Sequence, residues 1–280
     1  MEKFKRLFKK NRSTKKPVHT AIEPGQESPT LLRIPPADTQ ESSLNNVQYV
    51  QTRTVELDKA LLERNRIVAG NKREPVSRLF DLLRTQVLQK MEAHGWRTIA
   101  IISPTPEAGK TFVAINLALS IAHQANKSAL LVDLDLRRPK IASYLGLPVS
   151  KSLRDYLDGT ASLAQVLVNP SVPRLVIAPL LKPIANSSEV LSSKRIRLLL
   201  DDLRDRYESR IVVLDMPPIL VADDALVILP HVDCVLLVLG DGRHSEAEIE
   251  ETLRLIPNKN ILGTVLNRAD MTVPLHYYDY

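Results

Sequence analysis

The sequence predicts an α/β fold: a doubly wound, mainly parallel sheet with helices on both faces. Three observations lead there. Continuous apolar runs, such as Leu130-Leu131-Val132 and Ile211-Val212-Val213-Leu214, read as strands buried on both faces. Segments of helical periodicity separate them, which is the alternation of parallel strands with crossover helices. Hydrophobic residues make up 44% of the chain but aromatics only 4%, so the core must be aliphatic, as in such a sheet.

Residues 1–54 read as a basic tail and a linker, because Pro24, Pro29, Pro35 and Pro36 punctuate a polar stretch with little periodicity. Helical pattern starts at 55–65 and resumes at 75–91, where Pro75 suits a first helical position. Strands are then expected at 97–103, 128–136, 174–179, 210–215, 234–239 and 261–267. Helices are expected at 109–123, 163–168, 188–207, 223–229 and 245–256, the long one capped by Ser187 or Ser188. The organisation is therefore tail and linker (1–54), one domain (55–270) and a flexible tyrosine-rich tail (271–280), in which Pro274 argues against a strand. Gly240-Asp241-Gly242 reads as a surface turn.

Three segments carry chemistry. The first is Ser103-Pro104-Thr105-Pro106-Glu107-Ala108-Gly109-Lys110-Thr111, set between an apolar strand and the apolar run 112–121 of the next helix. A loop opening a helix aims free backbone N–H groups at one point, and the helix dipole adds positive charge there. Lys110 would reach terminal phosphates and the Thr111 hydroxyl a magnesium ion. Pro104 stands where the general phosphate-loop pattern asks for glycine. The second segment is Leu130-Leu131-Val132-Asp133-Leu134-Asp135-Leu136-Arg137-Arg138-Pro139. Asp133 and Asp135 are two apart and would share one side of an extended strand. Adjacent carboxylates resist joint ionisation unless a cation sits between them. The third is Val212-Val213-Leu214-Asp215-Met216-Pro217-Pro218, where a second strand ends in a carboxylate and two prolines fix the exit of the loop.

In this order the segments resemble the bacterial tyrosine autokinases (BY-kinases) of capsule and exopolysaccharide biosynthesis. These are P-loop proteins of MinD-like, deviant-Walker fold, with Walker A, A′ and B motifs. The likeness runs from about residue 55 to the end. It takes in Leu83-Arg84-Thr85-Gln86, residues 186–193, Leu262-Gly263-Thr264-Val265-Leu266-Asn267-Arg268 and the terminal Tyr277-Tyr278-Asp279-Tyr280. It implies ATP and Mg²⁺ as cofactors. Thr105, Pro106, Glu107, Ala108, Gly109, Lys110, Thr111 and Phe112 would cradle the phosphates, with Arg137 beside them. Asp133 would take the tyrosine proton, with Lys110 and Asp135 as its catalytic partners. Thr111, Asp135 and Asp215 would hold the metal, and Asn267 and Arg268 would lie near the adenine. Tyr277, Tyr278 and Tyr280 would be phosphoacceptors for a neighbouring copy, which makes a homo-oligomer the expected state. A separate membrane-spanning polysaccharide co-polymerase or chain-length regulator would be the activator.

Two departures stand out. The family loop usually reads Pro-Gly-Glu-Gly-Lys, whereas this chain has Pro106-Glu107-Ala108-Gly109-Lys110. Glu107 thus brings a Cβ and a negative charge toward an anion where glycine would allow close backbone approach. The helix motif Glu-x-x-Arg-x-x-Arg, used by the family in ring assembly, becomes Arg78, Asp81 and Arg84. Two alternatives stay open at this point: a MinD/ParA-type ATPase stimulated by a partner, and a non-catalytic scaffold of the polysaccharide machinery.

Charge and composition limit the partners. Residues 1–16 hold eight Lys/Arg and one Glu, so the tail carries +7 of a net +6 and the rest of the chain sums to about −1. Phe4, Leu7 and Phe8 share one side of a helix there, a pattern that suits an anionic membrane surface. No recognition motif accompanies the basic residues, which argues against nucleic acid. No apolar run approaches the roughly 18 to 20 residues of a membrane span, and no secretory signal is present. Cys234 is the only cysteine, which fits a reducing compartment. The expected location is cytoplasmic, peripheral at the inner face of the membrane.

Overall fold

The computed structural model describes residues 52–69, 71, 74–256 and 260–269. The basic segment 1–16 and the tail with Tyr277, Tyr278 and Tyr280 lie outside the described residues. In chain order the elements are β1 (Arg53–Thr54), α1 (Lys59–Arg64), α2 (Pro75–His94), β2 (Thr98–Ile102), α3 (Lys110–Ala122), β3 (Ser128–Asp133), α4 (Ile141–Leu145), α5 (Leu153–Leu157), α6 (Leu163–Val166), β4 (Val168–Asn169), β5 (Leu175–Ala178), α7 (Ser187–Leu191), α8 (Lys194–Asp205), β6 (Arg210–Asp215), α9 (Asp224–Ile228), β7 (Cys234–Gly240), α10 (Glu246–Leu255) and β8 (Asn260–Asn267).

Among the described residues the strands form one sheet in the order β1-β4-β5-β3-β6-β2-β7-β8. Every pairing is parallel except β4 with β5. The expected fold class is therefore the observed one. Alternate strand residues feed two hydrophobic cores. Ile99, Ile101, Leu131, Val213 and Leu236 face α2 and α3, while Ala100, Ile102, Leu130, Val212 and Leu237 face α8 and α9. This is the period of two of an extended chain, with both faces apolar.

Helix α3 is buried over nearly its whole length because it lies between the sheet and α2. Beyond its first turn, Asn116 and Ser120 are its buried polar residues. Asn116 Oδ1 accepts from the N–H groups of Val68 and Ala69, which docks the segment before α2. Ser120 donates to Asp81, and Asp81 also accepts from Arg84 at 2.7 Å. The changed Asp81 and the retained Arg84 are thus spent on packing α2 against α3. Helix α8 buries Ile196, Leu199, Leu200 and Leu203, a single face at helical spacing. Each such side chain contributes about 1.5–3 kcal/mol when fully buried.

Several boundaries differ from the sequence reading. The expected helix 188–207 is two helices, because Ser193 turns outward and its hydroxyl accepts from Ile196 N–H as a new cap. Asn186, not Ser187 or Ser188, sits at the cap position of α7. The first helix begins only at Lys59, after Asp58, whose carboxylate accepts from Ala60 and Leu61. Arg53 and Thr54 already pair with Val168 and Asn169, so the sheet begins just before the expected boundary at residue 55. Strand β3 stops at Asp133, where the bond from Leu134 N–H to the Asp215 carbonyl closes the last pair of the ladder. Asp133 and Asp135 therefore do not share one side of a strand.

Candidate active site

The carboxyl ends of β2, β3, β6 and β8 converge on one edge of the sheet, where ligands of such folds bind. Register sets the geometry: Asp133 pairs with Asp215 across β3 and β6, and Ile101 of β2 pairs with Asp215 on its other side. The loop 103–109 leaves β2 and enters α3 at Gly109, which has φ +94°. A Cβ at Gly109 would collide with Asn267 Nδ2, so only glycine fits. Asn267 itself donates to the Ala108 carbonyl at 2.8 Å. Ile219 and Leu220 donate to the carbonyls of Ser103 and Pro104, so the double-proline turn after β6 runs along the loop.

A cleft of about 1010 Å³ opens above these strand ends. Five cations line it among the described residues: Lys110, Arg137, Arg138, Lys140 and Arg268. Glu107 and Asp135 are the acidic residues of that lining. Such an excess of positive charge, facing the N-terminus of the 13-residue α3, suits a polyanion.

The charged groups below the cleft are already paired with one another. Lys110 Nζ donates to Asp135 Oδ2 at 2.9 Å. Burial pulls the Lys110 pKa down, but Asp215, Asp135 and Asp133 outweigh it and hold it above the ordinary value. Thr111 Oγ1 donates to Asp215 Oδ2 at 2.6 Å. Burial raises the Asp215 pKa to about 6, although Lys110 and Thr111 oppose the shift. Asp133 is wholly buried, and its Oδ2 accepts from the backbone N–H groups of Lys140 and Ile141 at 3.1 Å. Burial, then the Asp215 charge, push its carboxyl well above the usual carboxylate range. Among the described residues, Asp133 Oδ1 and Asp215 Oδ1 are buried without a hydrogen-bond partner. No group of three or more His, Cys, Asp or Glu side chains suited to a metal was found among the described residues. A metal here would take Thr111 and Asp215 and need its remaining ligands from water and phosphate, which is how Mg²⁺ is commonly bound.

The sequence-derived residues fall into two sets. Pro106, Glu107, Gly109, Lys110, Thr111, Phe112, Asp135, Arg137 and Arg268 line the cleft. Thr105, Ala108, Asp133, Asp215 and Asn267 do not; they lie behind that lining and brace the loop. Arg137 is also committed elsewhere: its guanidinium bonds to the buried Asp224 at 3.0 Å. Glu107 adopts φ +65°, the left-handed conformation in which a side chain is strained. Sequence reasoning passed over Lys140, Tyr144 and the pair Arg243-His244. Lys140 was findable as a third cation just after Arg137-Arg138; the others carried no signal.

No family model matches the chain. Relatives do. It is 36% identical over 191 residues to the putative tyrosine-protein kinase EpsB of Ralstonia solanacearum, covering 67% of this chain and 25% of that protein. It is 30% identical to the tyrosine-protein kinase CpsD of Streptococcus pneumoniae serotype 4, covering 63% of this chain and 78% of that one. The crystal structure of the VpsO kinase domain superimposes with a TM-score of 0.61 at 31% identity, over 69% of this chain and 98% of that domain. The chain spans about a quarter to a third of the length of the first curated relatives it matches.

Proposed function

Because the chain belongs to the bacterial tyrosine-protein kinases, we propose that it is an ATP-dependent tyrosine autokinase of the capsule and exopolysaccharide type. The observation that carries this reading is the convergence of Lys110, Asp135, Thr111 and Asp215 beneath a cation-lined cleft at the mouth of α3. Relatives named as tyrosine kinases support it over the partition-type ATPase and the non-catalytic scaffold.

In this reading Lys110 exchanges Asp135 for the oxygens of the transferred phosphate. Thr111, Asp215 and Asp135 would hold Mg²⁺, which would neutralise charge on the phosphates when bound. The backbone N–H groups of the loop and the start of α3 orient the triphosphate. Asp133 is the base. Two backbone N–H groups fix its Oδ2, which leaves Oδ1 to take the phenolic proton. Asp133 does not line the cleft, so in this reading a bridging water would carry that proton. Most of the rate then comes from positioning and charge neutralisation. The acceptors are Tyr277, Tyr278 and Tyr280 of a neighbouring copy in a homo-oligomer. Each added phosphate brings about −1.5 to −2 charge, which would drive a modified tail from a site that contains three aspartates.

The same reading places the chain at the inner face of the membrane, with residues 1–16 on anionic lipid and a membrane-spanning co-polymerase as activator. No helix among the described residues is long and apolar enough to cross a membrane.

The test is direct. Pure protein is incubated with Mg-ATP, with and without a candidate activator, and the peptide spanning 271–280 is mapped by mass spectrometry. Phosphotyrosine that disappears in Asp133→Asn supports the reading. ATP turnover with no phosphotyrosine under either condition would favour the ATPase instead, and neither binding nor turnover the scaffold.

A further inference from the structure

The turn after β7 does more than reverse the chain. Gly240 and Gly242 (φ +63°) shape it, and Asp241 N–H ties it to the Asn267 carbonyl at 2.9 Å. A Cβ on Gly240 would lie 2.9 Å from Arg243 Cδ and 3.3 Å from its Cβ. The missing side chain at 240 is therefore what lets the Arg243 stem lie across the turn. From there Arg243 Nη1 reaches Glu107 Oε2 at 3.3 Å. The next residue, His244, makes a hydrogen bond of 3.1 Å between its Nδ1 and Thr105 Oγ1. Its Nε2 is buried without a partner among the described residues. Two consecutive side chains thus grip the phosphate loop at 105 and 107, and Asn267 grips it at 108.

Glu107 is the weak point of that loop. Its backbone holds a conformation natural to glycine, and its carboxylate lines a cleft otherwise rich in cations. Arg243 does not line the cleft. Its link to the lining is the contact with Glu107.

We propose that Arg243 is a positioning residue for nucleotide binding: it tethers the Glu107 carboxylate to the β7–α10 turn and cancels a negative charge that would otherwise repel the phosphates. The pair compensates for a side chain at a position where the backbone conformation suits glycine. This rests on the reading of loop 103–109 as a triphosphate cradle.

A double-mutant cycle tests it, with affinity for a fluorescent ADP analogue read at low and high salt. Arg243→Ala should weaken binding by about 3- to 10-fold at low ionic strength, and by less than about 2-fold at 0.5 M salt, where such charges are screened. Glu107→Gln keeps the shape and removes the charge. In that background Arg243→Ala should change affinity by no more than about 2-fold, because the two effects are coupled. Arg243→Lys should retain most of the affinity. An equal loss from Arg243→Ala in the parent and in the Glu107→Gln background would overturn the proposal, as would a loss that salt does not diminish or no loss at all. If the unaltered protein fails to bind nucleotide, the cradle reading itself falls, and the two failures are thereby told apart. Circular dichroism of each variant confirms folding, which the exposed position of both side chains favours.

Discussion

Replacing Asp215 with asparagine removes a charge that folding must hide from water. The side chain is wholly buried, and its pKa rises from 3.8 to about 6 mainly through that burial. The folded state thus binds the proton more tightly than the unfolded chain. Stability from this group is complete below the unfolded pKa, near 3.8, and is lost as pH climbs through about 6. A displacement of about 2 units corresponds to roughly 3 kcal/mol, an upper bound because Asp133 and Lys110 share the same charge network. Asparagine keeps an oxygen to accept the Thr111 hydroxyl, so little packing is lost. Asp215→Asn should therefore be more stable than the parent at pH 8, by up to about 3 kcal/mol or about 6–12 °C in Tm for a domain of this size. At pH 4 the two should nearly coincide. The assay is urea unfolding at both pH values, with EDTA and no nucleotide. Phosphotransfer should vanish in the same variant, since Asp215 is a proposed metal ligand. A variant no more stable than the parent at pH 8 would refute the argument that this carboxylate is a stored cost of the site.

Two further outcomes follow from the geometry. Gly109→Ala forces a Cβ into Asn267 Nδ2 at a left-handed φ; it should cost about 2 kcal/mol or more and weaken ADP binding by about tenfold, read by thermal unfolding and titration. Cys234 is buried, and desolvation with the Asp233 charge lifts its thiol to about 12; it should resist thiol reagents at pH 8 in the native protein and react at once in denaturant.

What the sequence announced and what it hid divide along physical lines. Runs such as Ile211–Leu214 are apolar on both faces and have one stable home, a buried parallel strand, so β2, β3, β5, β6 and β7 were legible, and the half-exposed β8 was legible from its own apolar run. Lys110, Asp135, Thr111 and Asp215 were legible too, because strand ends in this fold class share one edge. The five-residue helices α4 and α5 were not, since one turn and a half shows no periodicity. The two-residue strands β1 and β4 are defined by pairing over a long separation rather than by composition. Ser193 was invisible as a break because a serine inside a helical pattern also fits an exposed face. The Arg243–Glu107 contact joins residues 136 apart, and neither segment foretells it. Likewise the spacing of Asp133 and Asp135 suggested a matched pair, but strand β3 ends between them and gives them different neighbours.

The position of β8 has a consequence for synthesis. It is made after the other strands of the sheet, yet its Asn267 reaches back 159 residues to Ala108. A chain emerging from the ribosome can assemble the five central strands before that contact exists. Until β8 arrives, β7 presents a seven-residue apolar edge that is fully covered in the finished molecule. Such an unpaired edge is a template for other chains. Premature stops ahead of residue 260 should therefore yield aggregates rather than a weakened but folded protein, and this strand doubles as the cap that keeps the nascent sheet solitary.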